Sequence, residues 1–341
     1  MNVEILPVHG IGEVTAGTDL AAAIATAAPW IRDGDVLVVT SKVVSKAEGR
    51  LVDVPVNGPE REAARDEALT AETARPVATR GHTRIVQTHH GFVLASAGID
   101  ASNVDRSRLV LLPKDPDASA RALRTALRER YGRQVAVVVT DTMGRPWRVG
   151  LTDLAIGAAG IDPLTDHRGQ PDGYGNELHL TQMAVIDELA SAAEVVKGKV
   201  DRVPVAVVRG FAPLRADDGP GAAALVRGAD HDLFALGTAE ARALGRHEAA
   251  TLADAPEFGP APVDPAAVAR ALAAVGAAFP VGPSGTALLV TAPDSDPSPW
   301  TLAQTGALVH RLRAELASYG LLTAWRPEPA PLGTLLIGTR P

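Results

Sequence analysis

Two apolar runs without a polar break constrain this chain more than any other feature: VLVVT at 36–40 and VAVVVT at 135–140. Each has strand length and neither alternates, so each reads as a strand buried on both faces. VPVAVV at 203–208 has the same character. Elements to cover such strands are legible nearby. A helix capped by Thr18 or Asp19 runs through AAAIATAAPWI and stops at Asp33-Gly34-Asp35. Another starts at Asp115 or Asp117, runs through ASARALRTALRERYG and ends at Gly132. Residues 178–197 have helical spacing, with Met183, Ile186, Leu189, Ala190 and Ala193 on one side. Shorter strands are expected at 3–8 and 92–97, and an exposed helix at 59–74. Residues 151–176, glycine-rich and mostly polar, read as a long loop of the kind that often carries function.

The 341 residues suffice for two domains, and composition shifts near 245 into a stretch dominated by Ala, Pro and Gly. Beyond it come a strand (286–292), a helix (301–320) and a last strand (334–338). Lysine plus arginine is 33 against 40 acids, a net charge of -7, which argues against a nucleic-acid binder. There is no cysteine, so disulfides, thiolate metal sites and a cysteine nucleophile are excluded. No apolar run reaches the length of a membrane span, and MNVEILPVHG lacks the pattern of a signal peptide. A cytoplasmic chain without a membrane partner is the expectation. Five lysines occur, at 42, 46, 114, 197 and 199, in a chain that otherwise uses arginine.

Three strands run directly into polar segments: Thr40 into Ser41-Lys42, Ala97 into Asp100 and Asn103, and Thr140 into Asp141-Thr142. Ligands in mixed α/β proteins tend to sit beyond such strand ends. Asp141 is either a turn cap or a hard-cation ligand, and Asp100 and Thr142 would suit the same ion. Lys42 and Lys46 share a face if their segment is helical, where an anion would relieve their repulsion. The Gly10-Ile11-Gly12-Glu13 loop could offer backbone N–H groups to phosphate, although no GxxxxGK[ST] motif occurs. Arg145 and Arg148 could clamp a phosphate or carboxylate, or balance local acids. His89 and His90 are adjacent and would point apart on a strand. Ser41 has no visible base partner. The residues alone indicate an α/β-type enzyme handling a phosphorylated ligand with a divalent cation.

Residues 3–244 closely resemble the coenzyme F-420-0:L-glutamate ligase family, the γ-glutamyl ligases. The matching segments, in family order, are ILPVHGIGE, DGDVLVVTSKVVSKAEGR, AGIDASNV, LLPKDPDASA, VVVTDTMGRPWRVGLTDLAIGAAG, DGYGNELHLT, DELASAAEVVKGK and PVAVVRG. The resemblance implies a GTP-driven ligase that joins the lactyl carboxylate of F-420-0 to the amine of L-glutamate and then adds γ-linked glutamates to give F-420-n. It implies an acyl phosphate intermediate, Mn2+ or Mg2+, and K+. It also implies a mixed-sheet α+β fold of the family's own and a homodimer.

Carried over by motif, Asp100 and Asp141 match ligands of the first divalent metal, and Thr142 a ligand of the second. These three form the implied catalytic set. Ile11, Gly12, Glu13, Val14, Ser41, Lys42, Lys46, Asn103, Lys197, Gly198 and Lys199 match nucleotide-contacting positions. Arg145 and Arg148 are the expected substrate-binding pair. One departure stands out: archaeal members carry a glutamate as second-metal ligand where this chain has Lys199. Glu177, Asp187 or Glu188 could replace it, the nucleotide phosphates could hold that metal, or Lys199 could contact phosphate itself.

After a ligase domain at 1–246, residues 247–341 resemble part of an FMN-binding, nitroreductase-like domain that is fused to actinobacterial members. The arginine-rich FMN-phosphate segment is missing and only 95 residues remain. A contracted α/β remnant without FMN is expected; the alternative is a bifunctional ligase and FMN-dependent reductase of dehydro-F-420-0.

Overall fold

The computed structural model describes residues 2–102, 104–199, 201–211, 214–282, 286–291, 297–328 and 332–341. The chain divides into two compact units, Met1–Ala239 and Glu240–Pro341. The first unit opens with β1 (Glu4–Pro7), α1 (Leu20–Ala27) and β2 (Val36–Thr40), which passes directly into α2 (Ser41–Ala47). Next come β3 (Leu51–Asp53), α3 (Pro59–Glu72), β4 (Thr73–Arg80), β5 (Thr83–Thr88), β6 (Val93–Ala95) and β7 (Arg108–Val110). The unit continues through α4 (Pro116–Tyr131), β8 (Ala136–Gly144), β9 (Leu151–Ala159), β10 (Thr165–Asp166), β11 (Gln182–Met183), α5 (Val185–Lys197) and β12 (Val205–Arg209).

Its centre is a five-stranded sheet in the order β1-β12-β2-β8-β9. β2 and β8 are parallel and every other pairing is antiparallel, so the sheet is mixed and the class is α+β. The unbroken apolar runs supply both faces of this sheet, because successive side chains in a strand point to opposite sides. Leu37, Val39, Val137, Val139, Val205 and Val207 pack with Ile24 of α1 and with Leu123 and Leu127 of α4. Val36, Val38, Ala136, Val138, Ala206 and Val208 pack with Val185, Ile186, Leu189 and Ala193 of α5. Each large side chain taken out of water here contributes about 1.5–3 kcal/mol before entropy is counted.

Local chemistry sets the helix ends. Asp19 accepts the Ala22 N–H at 3.0 Å to start α1, and Asp115 accepts the Ala118 N–H at 2.8 Å to start α4. Gly132, left-handed at φ 63°, closes α4. The helix expected across 178–197 occupies only Val185–Lys197, because Gln182 and Met183 pair with Asp166 and Thr165.

The expected loop over 151–176 is corrected. Its first nine residues are β9, paired antiparallel with β8. The small residues that made it read as a loop are what the site demands. A Cβ on Gly157 would stand 2.2 Å from the Pro116 carbonyl oxygen, so only glycine lets β9 approach the start of α4. Smaller sheets flank the centre: β4-β5-β6, β3-β7 and β10-β11.

The second unit contains most of α6 (Thr238–Ala250), then α7 (Pro265–Val275), β13 (Ala287–Thr291), α8 (Pro299–Ser318), β14 (Leu322–Pro327) and β15 (Leu332–Gly338). The three strands form an antiparallel sheet in the order β13-β15-β14. Ala271 of α7, Leu312 and Leu316 of α8, and Leu288, Leu335 and Ile337 of the sheet form its core. The Ala- and Pro-rich stretch that looked unpatterned therefore holds an ordered helix, α7, capped by Asp264. Among the described residues no helix is long and apolar enough to cross a membrane.

Candidate functional site

Topology gathers the polar segments at one end of the central sheet. β1, β2 and β8 all run the same way, so the chain leaves their carboxyl ends on the same edge. β12 runs oppositely, so the segment entering it from α5 arrives at that edge too. The Thr40 N–H donates to the Pro204 carbonyl and the Val8 N–H to the Val205 carbonyl, both at 2.9 Å, which fastens these segments together. A cavity of about 570 Å³ opens there. Ile11, Gly12, Glu13 and Val14 line it from the first loop, Lys42 and Lys46 from α2, and Lys197, Gly198 and Lys199 from the end of α5. Its volume lies in the range of small-molecule and cofactor sites. Of the other nucleotide-contact candidates, Ser41 is buried beneath the site and Asn103 lies outside the described residues.

The segment 41–47 is helical, so Lys42 and Lys46 stand one turn apart on one face. Lys42 Nζ is 2.6 Å from Asp100 Oδ2 and donates to Ser102 Oγ at 2.7 Å. Lys46 Nζ donates to Glu13 Oε1 at 2.5 Å. Asp100 also accepts the Ser102 N–H at 2.6 Å and its hydroxyl at 3.0 Å. Burial alone would push the Asp100 carboxyl up; the Lys42 and Ser102 donors outweigh it and hold the group below the usual carboxylate range. The turn that delivers Asp100 is strained, with Ser96 and Ala97 left-handed at φ 51° and 53°.

At the end of β8 the strand alternation sends Asp141 to one side and Thr140 and Thr142 to the other. Asp141 Oδ1 accepts the Ser41 hydroxyl at 3.0 Å, joining the ends of the two parallel strands. Burial pushes the Asp141 carboxyl up to about 6, and the nearby charges of Asp153 and Asp100 push the same way. Across the strand, the β8–β9 register shifts between Val139 and Thr140, and this sets Asp153 opposite Thr142. Asp153 accepts the Thr142 hydroxyl at 2.6 Å and the Thr140 hydroxyl at 2.9 Å. Lys197 reaches the same carboxylate at 2.8 Å and Glu194 Oε2 at 3.4 Å. Burial raises the Asp153 carboxyl, but the Lys197 charge and hydrogen bond bring it below the ordinary range.

Lys199 closes the group. Its ammonium donates to Thr142 Oγ1 and lies 3.3 Å from Glu194 Oε1. The acid beside Lys199 is therefore Glu194, none of the three considered from the sequence. Asp187 accepts the Ala155 N–H at 2.9 Å, Glu188 is exposed, and Glu177 pairs with His179. Asp153 and Glu194, with Asp105 in the cavity wall, are site residues that sequence reasoning missed. A lone acid in the small, apolar LTDLAIGAA run and an acid three residues before Lys197 on a helix were the available signals. Arg145 follows β8 and keeps a buried Nη1 with no hydrogen-bond partner among the described residues. Arg148 is exposed. His89 and His90 do not converge: one faces the Ala71 carbonyl, the other the Pro113 carbonyl.

The donor set fits one hard cation. Desolvation, more than the charges of Asp153 and Asp100, raises the half-buried Asp141 carboxyl, and a cation held by Asp141 and Asp100 would offset that cost. No three acids or histidines gather as a metal-binding group among the described residues, so ligand phosphate oxygens would complete the shell. The Thr142 hydroxyl, the second-cation candidate, donates to Asp153 and accepts from the Lys199 ammonium.

Residues 10–210 match the model of the family described as F-420-0:Gamma-glutamyl ligase. The chain is similar to the coenzyme F-420:L-glutamate ligase of Methanothermobacter thermautotrophicus, 40% identical over 238 residues that cover 64% of this chain and 94% of that protein. Proteins of the same name from Methanopyrus kandleri and Archaeoglobus fulgidus are 40% identical over 246 and 222 residues. Those stretches cover 68% and 62% of this chain, and 97% and 89% of the relatives.

Proposed function

This chain belongs to the F-420-0:gamma-glutamyl ligase family and is a ligase forming carbon–nitrogen bonds; from that premise we propose that it joins L-glutamate to coenzyme F-420-0 at the expense of GTP, and then adds γ-linked glutamates to give F-420-n. The observation that carries this reading is the convergence of the 11–14 loop, Lys42, Lys46 and Lys199 on one cavity beside Asp100 and Asp141.

A carboxylate is a poor acyl donor because oxide would have to leave. The lactyl carboxylate oxygen of F-420-0 takes the γ-phosphoryl group of GTP, and GDP leaves. The glutamate amine then attacks the acyl carbon, loses a proton, and expels phosphate that carries the former carboxylate oxygen. Such chemistry calls for positioned positive charge rather than a protein nucleophile. Lys42, Lys46 and Lys199 supply that charge, and the 11–14 backbone borders the nucleotide. Asp100 and Asp141 would hold Mn2+ or Mg2+, which would supply charge neutralisation at the phosphates, with K+ as the implied monovalent ion. Lys197 is spent inside the protein on Asp153, Thr140 and Glu194, so its part is to position that wall. The orphaned Arg145 Nη1 supports an anionic substrate group docking against that side chain, with the exposed Arg148 nearby in sequence.

Two further parts of the reading concern assembly and the second unit. The turn between β8 and β9 and the first residue of β9 expose Trp147, Val149 and Leu151, which supports a homodimer built over this apolar tip. The second unit is read as containing the contracted nitroreductase-like region expected at 247–341, without FMN. Two of its arginines are already engaged, Arg313 by Asp254 and Thr323, and Arg270 by Asp264 and the Tyr319 ring, which supports that reading.

The test follows a heavy-oxygen label placed in the F-420-0 carboxylate. An acyl phosphate route delivers one labelled oxygen to inorganic phosphate for each amide formed. Phosphate free of label would exclude it.

A further inference from the structure

Thr142, Asp153 and Glu194 come from β8, β9 and α5 and turn their oxygens toward one recess. A hydroxyl with two carboxylates is a donor set of the kind that binds hard cations. Here a side chain supplies the cation. Lys199 Nζ donates to Thr142 Oγ1, lies 3.3 Å from Glu194 Oε1 and 3.9 Å from Asp153 Oδ1. Lys197 serves the same carboxylates from beneath, 2.8 Å from Asp153 Oδ2 and 3.4 Å from Glu194 Oε2. Two carboxylates thus face two ammoniums, and no net charge is left to draw in another ion.

The two lysines differ in one respect. Lys197 is buried, whereas the Lys199 side chain is 62% exposed and borders the 570 Å³ cavity. Thr142 and Glu194 account for two of its three N–H donors, leaving one for a ligand. A tethered ammonium also acts at an effective concentration on the order of millimolar, which a free ion at micromolar concentration does not match.

We propose that Lys199 is a built-in cation: its ammonium fills the place at Thr142, Asp153 and Glu194 that a second free cation would need, and presents that charge to the phosphates of the cavity's ligand. The phosphate half rests on the nucleotide reading above; the occupancy half rests on this geometry alone. A divalent ion then binds at Asp100 and Asp141 only.

The experiment counts Mn2+ bound per chain, with no nucleotide added, by the loss of the free-ion electron paramagnetic resonance signal. Full-length protein is compared with Lys199→Glu and Lys199→Ala; the second variant removes only an exposed side chain and guards against a folding defect. Both variants should bind one more Mn2+ per chain than the unaltered protein, Lys199→Glu more tightly. An unaltered protein that already binds two, or variants with an unchanged count, would overturn the proposal. If the unaltered protein binds none and the variants bind one, the Asp100–Asp141 assignment fails while this inference stands.

Discussion

Asp153 and Lys197 form an ion pair 2.8 Å long in which each residue is 1% exposed. The pair ties β9 to the end of α5, and Thr140 and Thr142 bond to the same carboxylate. Breaking a buried pair by removing one partner leaves an uncompensated charge, which costs about 3–5 kcal/mol. Lys197→Met should lower unfolding free energy by that amount in urea titrations, and pairing it with Asp153→Leu should recover much of the loss. A Lys197→Met protein as stable as the original would show that the pair does not hold this end of the sheet.

Asp141 trades stability for chemistry. Its carboxyl is pushed up to about 6 in the folded chain, against about 4 unfolded. The folded state therefore holds the proton more tightly. Without a cation, ionising Asp141 costs stability progressively from pH 4 to 6, and fully above that. Asp141→Asn cannot ionise. It should be more stable than the original at pH 7.5 by up to about 3 kcal/mol, with the gap closing near pH 4, and it should not ligate. Thermal melts across pH and a ligation assay check both halves. A gap that widens on acidification would contradict the sign.

Lys46 sits in the cavity wall with its ammonium on Glu13. If it meets nucleotide phosphate, Lys46→Ala loses a charge-assisted contact of about 1.5–3 kcal/mol. The Michaelis constant for GTP should rise roughly tenfold or more, and that for glutamate much less. Equal effects on both would move the lysine off the phosphates.

The central strands were legible because VLVVT, VAVVVT and VPVAVV have no solvent face to offer, and the α4 boundaries because Asp115 and Gly132 act locally. The first strand of the supposed loop was not legible. LTDLAIGAA becomes a strand by pairing with β8, and its Gly157 answers to the distant Pro116. The same distance hid part of the site. Lys42, Lys46 and Asp141 stand at strand ends that announce themselves in sequence. Asp153 and Glu194 acquire their roles only from a strand register and a helix end that bring Thr142 and Lys199 to them. β6 was expected from 92–97, but β4 of the same sheet escaped notice because TARPVATR mixes charge and proline into its alternation.

The most direct test of the account is one incubation of the full chain with F-420-0, L-glutamate, GTP and Mn2+, resolved by mass. The account predicts products heavier than F-420-0 by successive glutamyl residues, with one GDP and one phosphate formed per residue added. Unchanged F-420-0, or ligation that proceeds equally well without GTP, would contradict it.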